Sequence, residues 1–229
     1  MDSQILTLIN ADRAAAGLVG LRRDSRLVTW SADRSGWMAT HASLTHSSWG
    51  GAPCSLYQNE RITWYGCGEA IGDTTAAFGS SAASFLYALW KSSPDHEALI
   101  MSASYNYIGI GVSYRVSTHT TYASILFLEG PDRTAPVPRY GSQYVSAGRL
   151  HWTWSAADPI LQSHTSGFKN YDVEISVNGA AWRKMRSAST AVVIATPPER
   201  RGTYKVRIRA RDHAGNVSAW LNSVTLVVR

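Results

Sequence analysis

Residues 107 to 127 read YIGIGVSYRVSTHTTYASILF. Two runs within this stretch are rich in β-branched and aromatic residues. They are Tyr107-Ile108-Gly109-Ile110-Gly111-Val112-Ser113-Tyr114 and Thr121-Tyr122-Ala123-Ser124-Ile125-Leu126-Phe127, and they predict two successive strands. Gly109 and Gly111 are small residues inside a strand, which is the pattern of a surface that another element approaches closely. The residues before this pair read as helices. Ile5, Leu6, Leu8 and Ile9 recur at helical spacing between a capping Asp2 or Ser3 and Gly17. From Asp24 to Ser43 a second face of small and apolar residues is formed by Leu27, Val28, Ser31, Ala32, Ser35, Met38 and Ala39. A third helix is predicted over 80–91 with Phe85, Leu86, Leu89 and Trp90 inward, and Pro94 blocks its extension. Leu44 to Gly68, rich in Ser, Gly, Asn and Trp, reads as a long ordered loop. Helices first and strands last predict an α+β layer rather than alternating βαβ units.

The character of the chain changes after residue 130. Gly130-Pro131-Asp132-Arg133-Thr134-Ala135-Pro136-Val137-Pro138 contains three prolines and a glycine, which no helix or central strand tolerates. Up to Gly130 there are 8 Lys and Arg against 10 Asp and Glu; from Pro131 onward there are 14 against 6, a net +8. Beyond the break only strand signals remain: His151-Trp152-Thr153-Trp154, Tyr171 to Val177 running into an Asn178-Gly179 turn, Tyr204 to Arg211, and Val224 to Val228. The expected organisation is a domain over 1–130, a linker over 131–138 and an all-β domain over 139–229.

No apolar run approaches the roughly 18 residues that a bilayer-spanning helix needs, so no transmembrane segment is expected. Met1-Asp2-Ser3-Gln4 leads straight into the first amphipathic stretch. Either the protein is cytoplasmic, or a processed leader is absent from these residues. Cys54 and Cys67 bear on that choice. A disulfide closing the short loop between them would contribute about 3 kcal/mol and would favour export, against the alternative of two reduced thiols.

The first domain resembles bacterial members of the CAP superfamily, the SCP-like secretory and pathogenesis-related proteins. The resemblance rests on an ordered series: Leu8-Ile9-Asn10 with Arg13 and Gly17, then Leu21, Met38, His46, Arg61-Ile62, Gly68-Glu69-Ala70-Ile71-Gly72, Trp90, Ser93-Pro94-Asp95-His96 and Ile108 to Val112. It implies an α-β-α sandwich, an extracellular or envelope setting, and a cleft lined by two histidines and two acids that in several members binds a divalent cation. By motif, His46, Glu69 and His96 take three of these places. The fourth is altered: Ser93 stands where the family has the Glu of Trp-x-x-Glu, and Ala70 stands where an Asn usually follows the first acid. Asp95 and Glu97 are the carboxylates nearby, though a helix turns each about 100° away from His96. Two imidazoles and a carboxylate suit zinc, or another divalent cation, with an open position for water. The bland alternative keeps both histidines as structural groups.

Residues after the break resemble bacterial fibronectin type III-like modules, an immunoglobulin-like sandwich, in the Trp152 strand, the Tyr171-Asp172-Val173 strand and Arg209-Ala210-Arg211-Asp212-His213-Ala214-Gly215-Asn216, with Tyr204 as the corner tyrosine. Strand alternation puts Lys205, Arg207, Arg209 and Arg211 on one face. With Arg183, Lys184, Arg186, Arg200 and Arg201 they form a basic surface for an anionic wall polymer or lipid surface, or else a solvated sheet face. Nucleic acid is not expected, because the aromatics of this domain read mainly as core-facing rather than interleaved with the cations, with Trp182 and Trp220 not placed by the pattern.

Catalysis has little support in the pattern. There is no Gly-x-Ser-x-Gly, no His-Glu-x-x-His and no phosphate-binding loop. Two functions lead: a secreted or envelope protein that binds a cation, lipid or glycan and attaches through its basic sandwich, and a secreted metal-assisted hydrolase or peptidase using the cleft His and Glu residues. A third, a signalling or defence-type ligand recognised by another protein, has no sequence feature of its own.

Overall fold

The computed structural model describes residues 1–75, 79–161, 164–222 and 224–229. They form two compact units, Met1–Pro131 with Leu161, and Asp132–Ile160 with His164–Arg229.

The first unit contains α1 (Asp2–Ala15), β1 (Arg22–Arg23), α2 (Ser25–His41), α3 (Pro53–Asn59), β2 (Gly66–Thr74), α4 (Ser80–Lys91), α5 (Pro94–Met101), β3 (Tyr107–Arg115) and β4 (Thr120–Glu129). Its sheet runs β1-β3-β4-β2, with β1 parallel to β3 and the other pairs antiparallel. Because side chains alternate along a strand, β4 supplies two cores. Ala123, Ile125 and Phe127 pack with Ile5 and Ile9 of α1, Leu86 and Trp90 of α4, and Ile100 of α5. Leu126 and Leu128 pack with Leu27 and Trp30 of α2 and Leu56 and Tyr57 of α3.

Helix α2 begins where Asp24 accepts hydrogen bonds from the Arg26 and Leu27 amides, satisfying two of the free donors of the first turn. It lies against β3 so closely that a methyl on Gly109 would sit 2.1 Å from the Leu27 carbonyl carbon, and one on Gly111 2.1 Å from that of Ser31. The two glycines therefore serve close packing, as their place in the strand predicts. At the end of α1, the buried Arg13 donates to the carbonyls of Val19, Ile100, Ser102 and Tyr105, tying the following loop to the end of α5.

Several expectations need correction. The segment 44–68 is not one loop: it contains α3 and the start of β2. Pro94 stops α4 but opens α5, since proline suits the first turn, where its missing N–H costs nothing. On α4, Phe85 and Leu89 are not inward but exposed, while Ala82, Ala83, Leu86 and Trp90 are buried.

The second unit has β5 (Val137–Ser146), β6 (Arg149–Ala157), β7 (Phe168–Val177), β8 (Arg183–Ser189), β9 (Val193–Thr196), β10 (Gly202–Asp212) and β11 (Val224–Val228). One sheet has the order β11-β10-β7-β8 and the other β5-β6-β9. Leu150, Trp152 and Trp154 from the second share a core with Val173, Ile175, Val206 and Ile208 from the first. Asn178 and Gly179 both adopt positive φ (53° and 78°) after β7, as a tight hairpin turn requires. The Tyr204 hydroxyl donates to the Arg200 carbonyl and accepts from the Arg200 amide, pinning the entry to β10.

Candidate functional site

Glu69 lies in β2 with its side chain 1% exposed. A lone carboxylate there would be costly, and the fold answers with a buried cation. Arg34 of α2, itself fully buried, donates through Nε to Oε1 at 2.5 Å and through Nη2 to Oε2 at 2.8 Å. The Ser124 hydroxyl donates to Oε1 at 2.8 Å. His46 Nδ1 lies 2.8 Å from Oε2. A carboxylate only accepts, so Nδ1 carries the proton, and the lone pair of the neutral ring belongs to Nε2.

Arg34 also shapes the loop that carries the histidine. Its Nη1 donates to the Trp49 and Gly51 carbonyls at 2.7 and 2.6 Å, and its Nη2 donates to the His46 carbonyl at 2.8 Å. One guanidinium thus holds both ends of segment 46–51 and the carboxylate that orients the ring. Two residues further on, α3 begins at Pro53, and its Cys54 is joined to Cys67 of β2 by a disulfide, two residues before Glu69. The His46 ring, anchored at Nδ1, is otherwise 54% exposed.

His96 sits in the first turn of α5, half-buried. Burial holds its imidazole below the usual histidine range, the charge of His46 lowers it further, and Asp95 partly opposes both. The two rings are therefore close enough to sense each other's charge. Glu97 does not join them: its carboxylate pairs with Lys91 at 2.8 Å, and Lys91 also reaches Asp12 at 3.2 Å. Asp95 is exposed. Among the described residues, His46, Glu69 and His96 do not bring three ligand atoms within 4.8 Å of one another. Glu69 lies beside His46, as expected, and its two oxygens are engaged by Arg34, Ser124 and His46.

The sign of the pH dependence follows from His96. Its folded pKa is depressed, so the unfolded chain binds this proton more readily. In chelator-treated protein this group's contribution is intact above the ordinary value of 6.5 and is lost as pH falls from there through the folded pKa. Urea unfolding at pH 7.5 and 5.5 should show a smaller acid-side loss for His96→Asn than for the wild type; equal losses would remove His96 as the source.

In the second unit, Lys205, Arg207, Arg209 and Arg211 lie on one strand and alternate with buried Val206, Ile208 and Ala210. They are not a row of unopposed charges. Register places Arg207 opposite Glu174 and Arg209 opposite Asp172, and ion pairs of 2.6 and 2.9 Å form there. The aromatics are not all core-facing either: the Arg207 guanidinium lies 4.4 Å from the Trp182 ring centre and 4.6 Å from that of Trp220, and Arg209 lies 4.7 Å from Trp220. Arg183 pairs with Glu199. Lys184, Arg186, Arg200, Arg201 and Lys205 are exposed.

Residues 6–127 match the model of the cysteine-rich secretory protein family, CAP. No functionally curated protein matches the chain. Among solved structures, an outer surface protein of Borrelia burgdorferi is similar at 17% identity and a TM-score of 0.49, over 56% of this chain and 92% of that one. An extracellular SCP-domain protein of Bacillus anthracis matches at 20% identity and TM-score 0.45, over 55% of this chain and 39% of that one. A cysteine-rich secretory protein of Staphylococcus aureus matches at 18% identity and TM-score 0.44, over 56% and 38%.

Proposed function

Because the chain belongs to the CAP family of cysteine-rich secretory proteins, we propose that it is an extracellular or envelope-associated binding protein whose first domain takes a divalent cation between His46 and His96. The observation that carries this reading is the Arg34-locked Glu69 behind His46. A carboxylate on the far nitrogen of an imidazole fixes its tautomer and raises its basicity, the usual outer support of a metal-ligating histidine. Two imidazoles with open positions suit zinc best among common divalent ions. Bound there, the ion would act as a Lewis acid toward a ligand oxygen. Glu69 would serve as the orienting group, not as a ligand. The disulfide supports the extracellular setting, since such bridges persist in oxidising compartments.

The hydrolase alternative needs Glu69 as a general base. Both its oxygens already accept from Arg34, with Ser124 and His46 adding one bond each, which leaves little capacity to take a proton from water. Binding is favoured over turnover on that ground. The second domain, a fibronectin type III-like module in this reading, attaches the protein to an anionic wall polymer or lipid surface. With Arg207 and Arg209 neutralised, this task falls to exposed Lys184, Arg186 and Lys205.

Zinc titration calorimetry tests the central claim. The wild type should bind about one equivalent saturably, and a His46→Ala/His96→Ala variant should lose that binding. Equal heats from both proteins would end the two-histidine reading. Peptidase activity abolished by both chelation and Glu69→Gln would favour the hydrolase instead.

A further inference from the structure

A second cluster lies wholly within the second unit, away from the histidines and unused by the reading above. Asp132 precedes β5, Asp158 follows the last residue of β6, and Asp212 is the last residue of β10. Two strand ends and the segment leading into β5 thus bring carboxylates together, and one oxygen from each lies within 4.8 Å of the others. Asp212 is fully buried and Asp132 is 7% exposed. Carboxylates so placed ordinarily require a cation nearby. Among the described residues, no Lys, Arg or His pairs with any of the three.

Hydrogen bonds position two of them. Asp132 accepts from the amide and hydroxyl of Thr134 through Oδ1, and from the amide and hydroxyl of Ser166 through Oδ2. Asp212 accepts from the backbone and side-chain amides of Asn216, whose side chain also donates to the Asp132 carbonyl. The third is left short. Asp158 Oδ2 has a long 3.4 Å contact with the Ser166 hydroxyl, the Gly167 amide gives the carboxylate some further support, and Asp158 Oδ1 is sealed from solvent without a hydrogen bond of ordinary geometry. Buried polar atoms are almost always satisfied, and one left over beside two other carboxylates marks the place of a missing partner. Burial, followed by the charges of Asp132 and Asp212, pushes the Asp158 carboxyl above its ordinary range.

We propose that Asp132, Asp158 and Asp212 form a calcium site that ties the start of the second unit to the ends of β6 and β10. The donors are all oxygen, which selects a hard cation and disfavours zinc. Three convergent carboxylates supply up to six oxygens, enough for most of the irregular shell that calcium accepts. Magnesium prefers to keep several waters in a strict octahedron.

The experiment is calorimetric titration of calcium chloride into chelator-stripped full-length protein, with hydrogen exchange measured in parallel. The wild type should show one saturable site with Kd on the order of 10⁻⁴ M or tighter, the range of extracellular modules. His46→Ala/His96→Ala should bind calcium unchanged, which separates this site from the histidine pair. Asp158→Asn should bind at least about tenfold more weakly, since it removes one charged ligand. It should also melt at or above the wild type in chelator, where it relieves repulsion, and below it in calcium; a merely structural aspartate would not reverse sign. If the variant fails to fold, hydrogen exchange of the wild type decides: calcium should slow exchange around Thr134, Ser166 and Asn216. Absence of calcium binding by both methods, protection confined to other segments, or equal affinity in Asp158→Asn would overturn the proposal.

Discussion

Replacing Gly109 or Gly111 with alanine is expected to abolish the helical signal of the protein, or to cost more than about 4 kcal/mol. The added methyl at 109 would lie 2.1 Å from the carbonyl carbon of Leu27 and 2.2 Å from its oxygen. At 111 it would meet the carbonyl carbon and oxygen of Ser31 at 2.1 Å, and the Ala32 nitrogen at 2.2 Å. These neighbours are backbone atoms of α2, which cannot rotate aside as a side-chain tip can. The helix would have to lift away from β3, opening gaps around buried Leu27, Trp30, Arg34 and Met38. Among the described residues every α-helix belongs to the first unit, so circular dichroism at 222 nm follows this domain without confusion from the second. Gly36→Ala is the matched control. Gly36 lies within α2, and its new methyl would find only the Ser113 hydroxyl, at 3.8 Å. That substitution should be neutral or stabilising by about 0.5–1 kcal/mol, because alanine is the better helix former. Helical content retained in both strand variants would show that α2 does not depend on these two glycines.

The same pair of glycines shows which kinds of information a sequence carries openly. A small residue in a strand has few uses, so Gly109 and Gly111 announce a close neighbour even before the neighbour is known. The three helices with regular apolar spacing and the paired strands were legible for a similar reason: each repeats one physical requirement over many residues. Short elements were not. Helix α3 spans seven residues within a Gly- and Ser-rich segment, and its two buried positions, Leu56 and Tyr57, set no period. Helix α5 was hidden by reading Pro94 only as a stop, although the same ring geometry favours a start.

Side-chain partnerships across the fold were harder still. The face of α2 read from Leu27, Ser31, Ser35 and Met38 passes directly through Arg34, three residues after Ser31 and four before Met38. A charged residue on a buried stripe needs a buried partner, and that was the available signal for the Arg34–Glu69 pair. The basic face of β10 misled because a strand was considered without its neighbour. Asp172 and Glu174 repeat on β7 with the same period as Arg207 and Arg209 on β10, and only the register reveals that they meet. The three aspartates of the second unit are separated by more than twenty residues from one another, and no local pattern joins them.

Arg34→Met should be the most damaging change that leaves side-chain volume nearly intact. It strips Glu69 of its cation while leaving the carboxylate in a site 1% exposed to water. Removing one member of a buried ion pair typically costs about 3–5 kcal/mol, chiefly because the remaining charge is uncompensated. The carbonyls of His46, Trp49 and Gly51 lose their donor at the same time. Glu69→Gln offers a graded comparison. Glutamine keeps an acceptor for Arg34 and Ser124, yet it places an uncompensated guanidinium in the core, so a smaller but clear loss is expected. The double variant Arg34→Met/Glu69→Gln should recover part of the loss of Arg34→Met, since no buried charge then remains. Urea denaturation of the four proteins, followed through the helical signal, measures the coupling. Zinc calorimetry on whichever variants stay folded separates the two roles of the pair. If the locked carboxylate orients His46, affinity should fall about 10- to 100-fold in Glu69→Gln, the usual cost of losing the carboxylate behind a ligating histidine. If affinity is unchanged while stability falls, Arg34 and Glu69 hold the 46–51 loop in place and contribute nothing to the imidazole itself.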